Sequence, residues 1–266
     1  MTEVTRRDLD SGGPAVYADL AGKVAVVTGG SRGIGAATAR ALAANAVAVA
    51  VVGRDQTAID ATVATIVDGG GRAIGVAADC TLDSDLAAAH RLVVDQLGAV
   101  DILAAFAGGN GAPVSTAEET AAHWCTVIEG DLTSAFLTIS KFLPDMILRG
   151  TGSIVTMSSA AARQPAGSSA AYASAKAGIV ALSRHLANEV AHAGVRVNCL
   201  APSAVENDKM RAHMPADRLG ALGAEFPLGR LGQPDDIAAA ALFLASAQAG
   251  WITGVTLDVA GGKIMI

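Results

Sequence analysis

The sequence predicts a single α/β domain: a doubly wound parallel sheet of seven strands with helices on both faces. Short apolar runs rich in Val, Ala and Ile alternate with longer segments of helical period between residues 23 and 259. The runs are continuous rather than polar at every second position, as strands buried on both faces must be. A cluster of glycines joins the first run to the first helical segment, where such sheets receive ligands.

Taken in order, Lys23–Thr28 is a β-branched strand that ends in glycines, and Ile34–Ala46 reads as an alanine-rich helix. Val47–Val52 is the second strand and Thr57–Val67 the second helix, closed by the turn Gly69–Gly71. Ala73–Ala78 is the third strand, followed by the helix Asp83–Leu97 and the fourth strand Val100–Phe106. A long helix over Ala117–Leu148 leads to the strand Ser153–Met157, the helix Tyr172–Ala193 and the strand Val195–Leu200. The helix Asp235–Ala245 and the strand Thr256–Val259 complete the pattern. No linker divides it, so residues 20–266 are expected to form one domain behind a flexible arm over 1–19. Residues 203–230, with scattered Gly and Pro, are expected to be an irregular lid over the substrate.

Composition excludes several function classes. Of 266 residues, 52% are hydrophobic, enough for a large core. Lys and Arg number 19 against 25 Asp and Glu, a net charge of −6 with no basic stripe, so no nucleic-acid partner is expected. No uncharged apolar run reaches the ~18 residues of a membrane span. The first twenty residues have no apolar signal core, and Arg6–Arg7 reads as a solvated pair. Cys80, Cys125 and Cys199 are too few and too scattered for a disulfide framework, which fits a reducing cytoplasm. The five histidines form no ligand-spaced pattern, so no metal is expected.

The glycine cluster TGGSRGIG, Thr28–Gly35, lies between a strand and a helix. There Gly29, Gly33 and Gly35 let the backbone approach a pyrophosphate whose charge meets the helix N-terminus. Later the chain reads AYASAKAG over Ala171–Gly178, placing Tyr172 and Lys176 on one helix face. A free tyrosine, with a pKa of ~10, is a poor acid or base at neutral pH, and a neighbouring ammonium favours its phenolate. The pair therefore reads as a general acid/base among small side chains that leave room for a cofactor and a substrate.

With Asp79 after the third strand, VRVNCLAPS over Val195–Ser203, PLGRLGQPDDIA over Pro227–Ala238 and the ending WITGVTLDVAGG, the chain resembles the short-chain dehydrogenase/reductase family over about Leu20–Gly262. The resemblance implies a Rossmann fold and hydride transfer between a nicotinamide cofactor and a carbonyl or alcohol. It places the cofactor along Gly29, Ser31, Arg32, Gly33, Ile34 and Gly35, then Arg54, Asp79 and Cys80. Ala107 and Gly108, Tyr172 and Lys176, and Pro202 with Val205 complete that path. It implies Ser159, thirteen residues before Tyr172, as the residue binding the carbonyl oxygen, with Ser158 as the neighbouring candidate. NAD-binding members carry an acid at the end of the second strand. Here Gly53 stands there, followed by Arg54, and Arg32 lies in the glycine loop. Two guanidiniums suit a 2′-phosphate, so NADP(H) is expected over NAD(H), although Asp55 opposes this if it turns inward.

The chain departs from the family at four places. Ala105-Phe106-Ala107-Gly108 replaces an Asn-Asn-Ala-Gly, and Asp131 replaces the asparagine that completes the catalytic set. Pro202-Ser203 replaces Pro-Gly, and Asn207 replaces a threonine. Asp131 is either part of the proton relay or a helix-kink residue. The expectation is an NADPH-dependent reductase of a ketone or 3-oxoacyl compound, assembled as a homotetramer or else a dimer. Ala135, Ile139, Ala181 and Leu182 are the surface candidates for that assembly. The alternatives are an alcohol, steroid or sugar dehydrogenase and a dinucleotide-binding redox sensor.

Overall fold

The computed structural model describes residues 15–109, 113–164 and 167–265. Seven parallel strands form one sheet: β1 Val24–Thr28, β2 Ala48–Gly53, β3 Arg72–Ala77, β4 Ile102–Ala105, β5 Gly152–Met157, β6 Val195–Pro202 and β7 Thr256–Val259. Their order is β3-β2-β1-β4-β5-β6-β7. The winding reverses between β1 and β4, and Thr28 lies level with Val52 on one side and Ala105 on the other. The carboxyl ends of the central strands thus form one rim with a crevice at the reversal.

Alternate residues of β1 feed two cores. Val24 and Val26 face one cluster with Leu86, Val93, Phe142 and Met146, from α3 (Asp83–Gln96) and α5 (Ser134–Arg149). Leu186 and Val190 of α6 (Ala170–Val190) complete it. Ala25 and Val27 face the other, with Leu42 of α1 (Gly33–Ala44), Ile59 and Ile66 of α2 (Gln56–Asp68), and Ile237 and Leu242 of α9 (Pro234–Ala245). Phe142 is 2% exposed, so truncating it to Ala costs ~3–5 kcal/mol.

The predicted helix 117–148 is revised in two ways. It begins at Ala121, where the Thr120 hydroxyl accepts the N–H of His123, while Ser115–Glu118 closes its own turn. It is also interrupted: α4 Ala121–Ile128 passes through a π-turn, Glu129–Thr133, into α5. The lid expected to be irregular contains α7 Asp208–His213, capped by Asn207, and α8 Ala216–Ala224 behind Pro215. Residues 1–14 of the expected arm lie outside the described residues. The Asn45 side chain accepts the Tyr17 N–H and donates to the Ala15 carbonyl, and Ala18–Leu20 forms a 3-10 turn whose Leu20 is fully buried.

Ala135 and Ile139 do not face outward as expected: both are 2% exposed and belong to the core. Apolar side chains that do reach the surface include Trp124, Phe136, Ile147 and Leu148 on α4 and α5, and Trp251, Val255 and Leu257 around the edge strand β7. Ala181 is exposed and Leu182 partly buried. No described helix is long and apolar enough to cross a membrane.

Candidate active site

The glycine loop is folded hard onto the sheet. A Cβ on Gly29 would stand 2.9 Å from the carbonyl oxygen of Phe106, and one on Gly35 only 2.1 Å from that of Gly29. Gly33 differs: its φ is 51°, and a Cβ there would enter open space at the first turn of α1. No side chain caps that turn, so its N–H groups face the opening. The cradle fits a pyrophosphate. Thr28, which the sequence reading passed over, ties the loop to the neighbouring strand: its hydroxyl accepts the N–H groups of Phe106 and Ala107 at 3.1 and 3.2 Å. That hydroxyl holds the strip where the family's asparagines are missing.

Beyond the loop, Ser31, Arg32, Gly53, Arg54, Asp79 and Cys80 line one cavity with Ala107 and Gly108. A Cβ on Gly53 would meet the Ser31 hydroxyl at 3.1 Å, so this strand end is crowded against the loop. The two arginines are not equivalent. Arg32 is paired with Asp55 at 2.5 Å, whereas Arg54 is 79% exposed and only 3.9 Å from Asp79. Asp55 also caps α2 by accepting the Ala58 N–H, and that bond, with Arg32, holds its carboxyl below the usual carboxylate range. Asp79 is held low chiefly by the Thr81 N–H and hydroxyl. Burial pushes the Cys80 thiol up to about 11, so it lines the cavity as a neutral wall.

A second cavity shares Gly29, Arg32 and Gly108 and reaches Ser203, Glu206 and Asn207. It brings together Ser159, Tyr172, Lys176, Pro202 and Val205, with Ile34 at the loop end. Tyr172 and Lys176 are one turn apart on α6, which starts where the Ser169 hydroxyl accepts the Tyr172 N–H. The Lys176 Nζ lies 5.5 Å from the Tyr172 ring centroid, donates to the carbonyl of Met157 at 3.1 Å and meets the Asp131 Oδ1 at 2.8 Å. The structure thus brings the sequence-predicted residues to two connected cavities at the sheet's switch point, except Asp131, which lies fully buried behind Lys176 and lines neither. Among the described residues, no three His, Cys, Asp or Glu side chains gather as a metal would need.

Segment 203–230 is tied down by Glu206, Arg211 and Gln233, none of them among the predicted site residues. Glu206 accepts from Gln233 at 2.6 Å and from Arg211 at 2.7 Å, and these bonds, Gln233 first, hold its carboxyl low. Val205 makes a backbone bridge to Gly232. Asn207, in place of the family's threonine, caps α7 by accepting the Met210 N–H.

A doubly wound sheet with an open glycine cradle and a Tyr–Lys helix beside it defines a Rossmann-fold oxidoreductase. Comparison with known proteins makes the class specific. A family profile described as enoyl-(acyl carrier protein) reductase matches residues 29–263. The 2,5-dichloro-2,5-cyclohexadiene-1,4-diol dehydrogenase LinX of Sphingobium indicum is 35% identical over 243 residues, 91% of this chain and 96% of that protein. The 3-oxoacyl-[acyl-carrier-protein] reductase FabG of Escherichia coli is 42% identical over 143 residues, 54% of this chain and 58% of the relative. Among solved structures, gox2181 superposes with a TM-score of 0.86 at 32% identity, covering 90% of this chain and 95% of its own. Levodione reductase has a TM-score of 0.86 at 27% identity, covering 91% and 98%. The chain belongs to the short-chain dehydrogenase/reductase family, oxidoreductases that use nicotinamide dinucleotides.

Proposed function

We propose that the protein is an NADP(H)-dependent reductase that converts a ketone or 3-oxoacyl-type carbonyl to the alcohol, with Tyr172 as the proton donor. The observation that carries this reading is the meeting of Ser159, Tyr172 and Lys176 on one cavity continuous with the glycine cradle. LinX is named a diol dehydrogenase and FabG a 3-oxoacyl reductase, and alcohol and carbonyl are the two ends of one hydride transfer.

A bound nicotinamide supplies the hydride. The chain's own residues manage the charge that develops on the carbonyl oxygen: the Ser159 hydroxyl donates a hydrogen bond to it, and the Tyr172 phenol gives it a proton. Lys176 holds the nicotinamide ribose and faces the phenol, while Pro202 and Val205 wall the ring. Gly53 leaves the second strand without a carboxylate. Asp55 is engaged with Arg32 and its helix, so Arg54 is the cation for the 2′-phosphate. Ile34, Phe106, Met157 and Val205 are apolar side chains on the cavity wall, which favours an apolar carbonyl compound. The exposed apolar faces on α4, α5 and β7 support a homotetramer, and three free cysteines fit a reducing cytoplasm.

NADPH oxidation against a panel of ketones and a 3-oxoacyl thioester tests the reading. Turnover only with alcohols and NAD⁺ would replace it by the dehydrogenase alternative, and tight NADPH binding without turnover by the sensor.

A further inference from the structure

The Asp131–Lys176 pair is the most buried ion pair among the described residues: the two side chains are 0% and 3% exposed. Burying two charges costs several kcal/mol per ion and seldom repays itself in stability, so such a pair calls for another reason to be there. Its surroundings supply one. Asp131 sits in the π-turn, which swings it under the strip that follows β4. The same Oδ1 that meets Lys176 accepts the Gly109 N–H at 2.7 Å. At Gly108, φ is 132° and a Cβ would come 2.4 Å from that oxygen. One carboxylate oxygen therefore joins the glycine strip of the cofactor cavity to the lysine beside the tyrosine. Lys176 has three N–H donors, and Asp131 and the Met157 carbonyl take two of them.

We propose that Asp131 is a positioning residue that clamps Lys176 between the Met157 carbonyl and the Gly108–Gly109 strip and offsets its charge, so that the Tyr172 phenol keeps its proton in the free enzyme. A lone ammonium 5.5 Å from the ring would draw the phenol toward phenolate. With a carboxylate 2.8 Å from that ammonium, the phenol faces a nearly neutral pair. The lysine keeps its geometry and one free N–H while its pull on the phenolic proton is reduced. A site held this way is loaded to give a proton, as reduction requires.

Besides Asp131, the groups that bear on the ammonium are Tyr172 on its own helix and the Cys199 thiol on β6, while Arg32 and Glu206 line the same cavity. Burial raises the Cys199 thiol, so it stays neutral.

The inference rests on reading Tyr172 as the proton donor, but its test needs no turnover. The chain has two tyrosines, and Tyr17 packs on the far core with its backbone tied to Asn45. In a Tyr17→Phe background the tyrosinate absorbance of the cofactor-free protein reports Tyr172 alone. Adding Asp131→Asn should move that transition to lower pH by about one unit, the low end of what a nearby uncompensated charge produces. Adding Asp131→Glu, which keeps the charge, should restore most of the shift. Coincident curves for Tyr17→Phe with and without Asp131→Asn would overturn the proposal, as would Asp131→Glu behaving like Asp131→Asn. Should Asp131→Asn fail to fold, Asp131→Ser removes the same charge with a smaller side chain, and the same two outcomes apply. A shifted transition in a protein that reduces no carbonyl supports the clamp and removes only the reductase reading.

Discussion

Ser158 and Ser159 are adjacent in the chain but bound into different parts of the structure. The buried Ser158 hydroxyl donates to the carbonyl of Lys176 at 2.7 Å, while the half-buried Ser159 oxygen accepts the Ala161 N–H at 3.2 Å and lines the cavity. Both serines line the cavity, but the Ser158 hydroxyl is committed to its bond with α6, which supports the proposal of Ser159 as the residue that binds substrate.

The two serines should fail differently. Ser159→Ala should lower turnover by ~10²–10³-fold, the loss expected for a donor to a developing oxyanion, with the unfolding midpoint unchanged. Ser158→Ala should destabilise the fold by ~1 kcal/mol through the lost buried hydrogen bond to α6. Steady-state kinetics beside urea unfolding separates them, and equal kinetic loss in both would return the assignment to open choice.

Tyr172→Phe keeps the ring and the cavity but removes the proton donor. Turnover should fall by ~10²–10⁴-fold while NADPH binding, read by fluorescence, is kept. Lys176→Met should lose both rate and cofactor affinity. Near-normal ketone reduction by the phenylalanine variant would place the acid elsewhere.

Arg54→Ala should weaken NADPH by about tenfold relative to NADH, the lower end of a charge-assisted contact because Arg54 is exposed. Calorimetric titration with both cofactors checks this, and equal loss would sink the 2′-phosphate reading.

Asp236 closes the N-terminus of α9 by accepting the Gln233 N–H at 2.6 Å, and it is paired with Arg230. That arginine first, and then the N–H, hold its carboxyl below the usual 3.8. A folded-state pKa lowered in this way contributes stability above the unfolded value and loses it as pH falls through the folded one. Asp236→Ala should therefore cost ~1 kcal/mol near neutral pH, and the gap to the parent protein should narrow as pH falls below 3.8 through the lowered folded value. Denaturant unfolding at pH 7 and pH 3 would show this, and a gap that persisted in acid would refute it.

A homotetramer should be seen by light scattering at micromolar concentration, and Phe136→Asp, which puts a charge on an α5 side chain 51% exposed, should disrupt it. A monomeric parent protein would rule the assembly out.

The seven strands were legible because strands such as Val24–Thr28 are buried on both sides and so read as unbroken apolar runs. The cradle and the Tyr–Lys turn were legible because local spacing alone fixes them. The π-turn was not, since one extra residue in a helical period leaves the apolar pattern readable on either side of it. Helix phase was hard to read where alanine covers every face: on α6, Ala171 and Ala175 are buried while Ala177 and Ala181 are exposed. On α5 apolar side chains stand on both faces, with Phe136 exposed while Ala135 and Ile139 are buried, and that misplaced the latter two. The lid helices were too short, at Asp208–His213 and Ala216–Ala224, for periodicity to register. The partners of Arg32 and Arg54 depend on rotamers that no spacing encodes.

The π-turn also limits how this chain can be shortened. In a plain α-helix each residue advances the face by about 100°. Removing one residue between Glu129 and Thr133 would let the backbone relax into an ordinary helix, at little cost in hydrogen bonds. The π-turn already absorbs its extra residue within one wider turn, so the deletion would leave Val127, fully buried, on its packing face. What would be lost is the widened turn that carries Asp131 to Lys176. A deletion that improves the local helix would thus undo only that pair, so the extra residue is tied to the lysine and not to the core.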